Sequence, residues 1–153
     1  MKNEITHFDS FKQKYESYQQ ELKAMEDELQ RLCKFLSDVT LYCINGEDLS
    51  YYNRFQISYG EQVNSFTFTE PTVDVDLNYF DYYDGYDTES NLSIPREIFD
   101  MWMTGDKGGV TKRVIELCHE RKGNTKQEDL RKLELLASDL GYKVIKEACN
   151  ENP

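Results

Sequence analysis

Lysine and arginine are absent from one long stretch of this sequence, which runs from Phe55 to Pro95. The stretch carries eight of the 29 acidic residues, so its own net charge is −8. The remaining 21 acids stand against all 18 bases and are nearly balanced by them. The formal charge of −11 is therefore concentrated in the middle of the chain, which favours a basic partner protein over direct contact with nucleic acid.

Residue patterns that hold metals or build nucleophilic sites are also missing. The four cysteines and two histidines show no Cys-x-x-Cys or His-x-x-x-His spacing. Cys118 and His119 are neighbours in a predicted helix, where they point about 100° apart and cannot pair as nucleophile and base. We expect a buried Cys118 beside an exposed His119, with no catalytic residues, no metal and no cofactor, and hence not an enzyme.

Long apolar runs are lacking as well. Residues 1–10 have no apolar core of the kind that a signal peptide needs, and no stretch approaches the roughly 20 apolar residues of a membrane-spanning helix. Without an export signal the cysteines are expected to be reduced thiols, so we predict a cytoplasmic protein without membrane contact. The length of 153 residues predicts a single domain over residues 1–153.

A heptad repeat opens the chain and predicts one long helix over residues 8–37. Nine apolar residues alternate spacings of three and four, with helix-forming polar residues between them. They are Phe8, Phe11, Tyr15, Tyr18, Leu22, Met25, Leu29, Leu32 and Leu36. A helix of this length spans roughly 43 Å at 1.5 Å per residue, more than a small sheet covers. We expect the apolar stripe to be buried on the sheet or, as we favour, in a homodimer. The predicted dimerisation residues are Leu22, Met25, Leu29 and Leu32.

Residues 39–80 alternate between apolar and polar side chains, which predicts an antiparallel meander of four to five strands. The predicted strand regions are 39–44, 49–52, 55–59, 63–69 and 73–79, with a hairpin turn at Asn45-Gly46. Asp74-x-Asp76-x-Asn78 resembles the opening of a calcium loop, but the required glycine is absent and an exposed strand face fits better. Residues 81–92 are rich in aspartate and tyrosine and predict an exposed loop.

Residues 93–149 predict a helical region, so the order of elements is that of an α+β fold. Pro95 marks the first turn of one helix. A predicted four-residue turn at Lys122–Thr125 separates two further helices, and Gly141 is placed at the C-terminal cap of the last one. The predicted buried face of that last helix is Leu130, Leu133, Leu136, Ala137 and Leu140. Residues 142–146 fit either a strand or a resumed helix.

Tyrosine and aspartate together mark the candidate interaction surface. Eight of the eleven tyrosines lie in or beside the base-free stretch, and tyrosine is enriched where proteins meet. Carboxylates two residues apart on a strand are separated by roughly 6–7 Å, which is similar to the spacing of phosphates along a DNA strand. The predicted partner-binding residues are Asp74, Asp76, Asp81, Tyr82, Tyr83, Asp84, Tyr86, Asp87 and Glu89.

These patterns predict a small acidic module that binds a basic protein. The most specific form of the hypothesis is a DNA mimic, an inhibitor of the phage or mobile-element type that blocks a nucleic-acid-binding enzyme. One alternative is a coiled-coil adaptor or assembly protein that acts through the N-terminal helix. A second alternative is a DNA-binding regulator, since two helices joined by a four-residue turn are compatible with a helix-turn-helix. Acidic residues on its last helix would, however, face phosphates.

Overall fold

A computed structural model describes residues 4, 6–39, 48–80 and 87–144. The elements are helix α1 (His7–Asp38), a short 3-10 helix (Ser50–Tyr52), strands β1 (Gln62–Phe68), β2 (Thr72–Phe80) and β3 (Asp87–Pro95), and helices α2 (Arg96–Met103) and α3 (Lys107–Asp139). The α+β fold with a long N-terminal helix is thereby confirmed. None of the helices in this described part combines the length and apolar content that crossing a bilayer requires.

Within the described residues the sheet has three antiparallel strands in the order β1-β2-β3, and this count does not support the predicted four to five strands. Val73, Val75 and Leu77 of the central strand β2 point inward and are buried, as their alternation predicts. They join one core cluster with residues of all three helices and of β3. The sheet therefore has one face on the helices, and polar side chains occupy its other face.

The segment before β1 does not form the predicted return strands. Residues 49–52 include the 3-10 helix, and residues 53–61 hold turns and irregular backbone. The reason is that side chains bind this backbone to α1: the Asn53 amide donates to the Leu36 carbonyl at 2.9 Å, and the Ile57 N–H donates to Ser37 Oγ at 3.1 Å. The predicted first strand beyond Val39 and the Asn45-Gly46 hairpin lie outside the described residues.

The second half of the predicted acidic loop is a strand. β3 begins at Asp87 and pairs with β2 from Phe80 back to Thr72, while residues 81–86 lie outside the described part. Leu92 and Ile94 alternate with outward polar residues and are buried, so β3 has the strand period with only two strong apolar positions. Helix α2 starts directly after Pro95.

Helix α1 has the predicted extent, but only its C-terminal third is buried. Leu29, Leu32, Cys33 and Leu36 are at most 3% exposed because they pack under the sheet and helices. The preceding stripe from Phe8 to Met25 has no such cover. Leu29 and Leu32 are thus enclosed in the chain's own core and are unavailable as a dimer seam. A homodimer through the earlier part of the helix stays a prediction.

Helix α3 is continuous, so the predicted turn at Lys122–Thr125 is wrong. The Thr125 hydroxyl donates to the Arg121 carbonyl at 2.9 Å inside the helix. Val110, Val114 and Cys118 bury the first half of α3, whereas no residue of its second half belongs to the core that the described residues form. The predicted buried face of that half is wrong at three of its five residues, Leu133, Leu136 and Leu140, whereas Leu130 and Ala137 are half-buried. Four leucines of this half are 51–65% exposed: Leu133, Leu135, Leu136 and Leu140.

The end of α3 follows the sequence prediction at Gly141. This residue has φ 79°, and its N–H donates to the Ser138 carbonyl at 3.1 Å. The Tyr142 N–H donates to the Ala137 carbonyl at 2.8 Å, which completes a Schellman cap. Residues 142–144 form neither strand nor helix, and residues 145–146 of the predicted segment lie outside the described part.

Candidate functional site

The outward side of the sheet is the most polar continuous surface that the strands build, and we call it the acidic sheet face. Alternate residues of β2 point to it because their neighbours Val73, Val75 and Leu77 are buried. The strand register brings polar residues of β1 and β3 beside them. The face consists of Gln62, Ser65, Thr67, Thr72, Asp74, Asp76, Asn78, Glu89, Asn91 and Ser93.

Asp76 lies at the centre of this face and is held from both neighbouring strands. The Ser65 hydroxyl of β1 donates to Asp76 Oδ2 at 2.8 Å, and the Asn91 amide of β3 donates to Asp76 Oδ1 at 2.9 Å. These bonds, that from Ser65 first, lower the pKa of Asp76 below its ordinary value. The carboxylate therefore stays ionised at neutral pH with a fixed orientation.

Asp74 is held in the same manner two residues earlier on β2. The Ser93 hydroxyl of β3 donates to Asp74 Oδ1 at 2.7 Å, and the Thr72 hydroxyl donates to the same oxygen at 2.9 Å. Residues two apart on a strand lie roughly 6–7 Å apart. The donors to Asp74 and Asp76 among the described residues are all neutral, so these bonds orient the two negative charges without cancelling them.

Glu89 completes the described acids of the face. It lies on β3 opposite Asn78 and is exposed. Asp87 also lies on β3, where its backbone pairs with Phe80. The structure thus brings Asp74, Asp76 and Glu89 to one surface. The other predicted partner-binding residues lie outside the described part: Asp81, Tyr82, Tyr83, Asp84 and Tyr86.

Sequence reasoning missed the donors that orient the two carboxylates. Ser65, Asn91 and Ser93 become neighbours of Asp74 and Asp76 only through the strand register, including a register shift between Val63 and Ser65. The only signal in the sequence was that every second residue of each strand is polar. This alternation identifies the outward face of the sheet but does not show which residues of neighbouring strands pair.

The cysteines of the described part, Cys33 and Cys118, are buried. Burial raises the pKa of the Cys33 thiol to about 12 and also raises the pKa of Cys118. Cys118 is buried beside an exposed His119, as predicted. Within the described residues no group of three His, Cys, Asp or Glu side chains is placed to hold a metal ion.

A groove of about 750 Å³ runs between α1 and residues 56–63. Gln30 of α1 closes part of it by pairing with the edge of β1: its amide donates to the Glu61 carbonyl at 3.1 Å and accepts from the Val63 N–H at 2.7 Å. The lining mixes Lys23 and Lys34 with several acids and builds no convergent charge. The two hydrogen bonds of Gln30 join α1 to the sheet edge beside this groove.

Two exposed apolar surfaces accompany the acidic sheet face. One is the first part of α1, where Phe8 and Phe11 are 75% and 77% exposed. The other is the leucine-rich second half of α3. Patches of this kind mark sites of association in folded proteins.

Comparisons of the chain with protein-family models, with curated proteins and with solved structures found no match.

Proposed function

We propose that this protein is a small, non-enzymatic module that binds a basic protein through its acidic sheet face. The observation that carries the proposal is the arrangement of Asp74 and Asp76, whose carboxylates accept hydrogen bonds from neutral donors throughout the described residues. The three strands contain no lysine or arginine, so no basic side chain of the sheet pairs with these carboxylates. The field of this face therefore remains available to a partner.

The more specific form is an inhibitor that imitates nucleic-acid charge. Carboxylates that repeat along β2 at roughly 6–7 Å resemble a row of phosphates, and a channel that accepts phosphates would accept them. The partner would then be a nucleic-acid-binding enzyme, as for inhibitors of the phage or mobile-element type. Tyr82, Tyr83 and Tyr86 follow β2 in sequence, and their role as aromatic anchors stays a prediction.

A second candidate is an adaptor or assembly protein that acts through α1. The exposed stripe at the start of that helix favours it, because nothing in the described part of the chain covers those aromatic side chains. The two candidates use different surfaces of one molecule. A DNA-binding regulator is not proposed, because its two helices and turn are one continuous helix.

The test uses three immobilised baits and a host lysate. The wild type is compared with a sheet-face variant (Asp74→Asn, Asp76→Asn, Glu89→Gln) and with a matched variant on α3 (Glu128→Gln, Asp129→Asn, Asp139→Asn). Both variants lose three negative charges, and the α3 positions are exposed. We expect the wild type and the α3 variant to retain a basic protein at about 0.1 M salt. Both should release it near 1 M salt, where interactions between exposed charges are screened beyond about 3 Å. The sheet-face variant should not retain it. Equal retention by all three baits contradicts the proposal.

A further inference from the structure

The first part of α1 is an apolar stripe that the rest of the described chain leaves uncovered. We call residues 8–25 the N-terminal arm. Its four aromatic residues Phe8, Phe11, Tyr15 and Tyr18 are 75%, 77%, 56% and 61% exposed. An aromatic side chain offers roughly 200 Å² of surface, so they expose about 500 Å² per chain. Two such arms together offer about 1,000 Å², which is the lower bound for a specific interface.

A groove lies beside the arm where it approaches the sheet. It measures about 390 Å³ and runs between the helix and β1. Its apolar lining comes from Tyr18, Leu22, Met25 and Phe66. The chain thus presents both a protruding pair of phenylalanines near the start of α1 and an apolar recess near the other end of the arm.

We infer that two copies of the chain associate through antiparallel N-terminal arms, each inserting Phe8 and Phe11 into the groove of the other. An antiparallel helix pair places heptad positions a and d opposite each other. In the register centred between residues 16 and 17, Phe8 lies opposite Met25 and Phe11 opposite Leu22 of the second copy. Tyr15 then lies opposite Tyr18, so every apolar residue of the arm finds one partner. The contact is isologous and closes as a two-fold dimer.

The flanking charges select this direction. In the antiparallel register Lys14 of one copy faces Glu21 of the other, and symmetry makes this attraction occur twice. In a parallel pair Glu21 would face Glu26 of the second copy, which is a repulsion that also occurs twice. Lys14 and Glu21 form no ion pair within the described part of the chain, so both are free for such contacts.

The inference is tested by sedimentation equilibrium on the full chain and its variants. Wild type is expected to form a dimer at concentrations in the tens of micromolar. Phe11→Asp should abolish the dimer, and helix content by circular dichroism should persist because this side chain is 77% exposed. Glu21→Lys should weaken the dimer on the order of tenfold, because it turns two attractions into repulsions. Lys14→Glu combined with Glu21→Lys should restore it.

The other occupants of the arm give distinct outcomes. A wild-type monomer at those concentrations overturns the inference, and so does a dimer that Glu21→Lys tightens, since only parallel arms gain from that change. A dimer that survives Phe11→Asp but is lost in Leu136→Asp would assign the contact to α3 and also overturn it. None of these variants touches the acidic sheet face, so the result is independent of the proposed function.

Discussion

The indole of Trp102 donates a hydrogen bond to Glu28 Oε1 at 2.7 Å, although 74 residues separate the two in sequence. The Trp102 ring also lies 5.2 Å from the ring of Phe35, and the Lys107 ammonium lies 5.5 Å from its centre. Glu28 accepts a further bond from Arg31. The hydrogen bond from Trp102 to Glu28 holds α2 against α1 just after the end of the N-terminal arm.

The hydrogen bond to Glu28 should make the fluorescence of Trp102, the only tryptophan, change with pH in the acidic range. Hydrogen bonds from Arg31, and then from Trp102, lower the pKa of Glu28 below its ordinary 4.5. A lowered pKa means that the stabilisation is present above pH 4.5 and is lost as pH falls through the folded value. A titration of the emission should show this transition in wild type and in Glu26→Gln, but not in Glu28→Gln. An unchanged transition in Glu28→Gln would contradict this.

Asn53 is predicted to be the most sensitive polar residue of the core. It is 4% exposed, and its amide donates to the Leu36 carbonyl while its oxygen accepts from the Phe55 N–H. Asn53→Ala leaves both groups unsatisfied and should lower the free energy of unfolding by about 1–3 kcal/mol. Urea denaturation measures this change in the free energy of unfolding, with Asn64→Ala at an exposed position as the control. Equal midpoints for the two variants would show that the contact is unimportant.

Two glycines of the C-terminal region should respond to alanine with opposite signs. Gly123 lies inside α3, and a Cβ there would meet nothing within 4 Å, so Gly123→Ala should stabilise by about 0.5–1 kcal/mol. Gly141 has φ 79°, so Gly141→Ala should destabilise by about 1 kcal/mol. Thermal unfolding of both variants tests the continuity of α3. A destabilising Gly123→Ala would indicate a turn at that position instead.

The buried thiols should resist modification in the native state. In a Cys43→Ser, Cys149→Ser background, Cys33 and Cys118 are the only cysteines left. Their raised pKa values and burial keep the reactive thiolate scarce, so an aromatic disulfide reagent near pH 8 should react only after denaturant is added. Fast reaction of the folded variant would mean that the core around these cysteines opens readily.

Strong periodicity made α1, β1 and β2 predictable from sequence. Nine apolar residues at heptad spacing fit a helix, and the strict alternation from Val73 to Tyr79 fits a strand. The sequence did not predict β3, because only Leu92 and Ile94 mark its apolar–polar alternation. Its extended backbone is stabilised by pairing with β2. Gly123-Asn124 resembled a turn, yet the helix formers on both sides outweigh a cost of about 1 kcal/mol for glycine.

The acidic sheet face was only half predictable for a related reason. The outward position of Asp74 and Asp76 follows from the buried residues between them. Their orientation depends on Ser65, Asn91 and Ser93, and the pairing of those residues is set by the register of three strands. Register is a property of the folded sheet, so no local pattern reports it.

The decisive measurement for the acidic sheet face is the rate at which this protein associates with the basic protein it retains. We expect Asp74→Asn, Asp76→Asn and Glu89→Gln together to slow association on the order of tenfold near 0.1 M salt, where charges act over about 10 Å, while dissociation changes little. The matched α3 variant (Glu128→Gln, Asp129→Asn, Asp139→Asn) should associate like wild type, and the difference should fade near 1 M salt. If both variants slow association equally, or neither does, the acidic sheet face is not the docking surface.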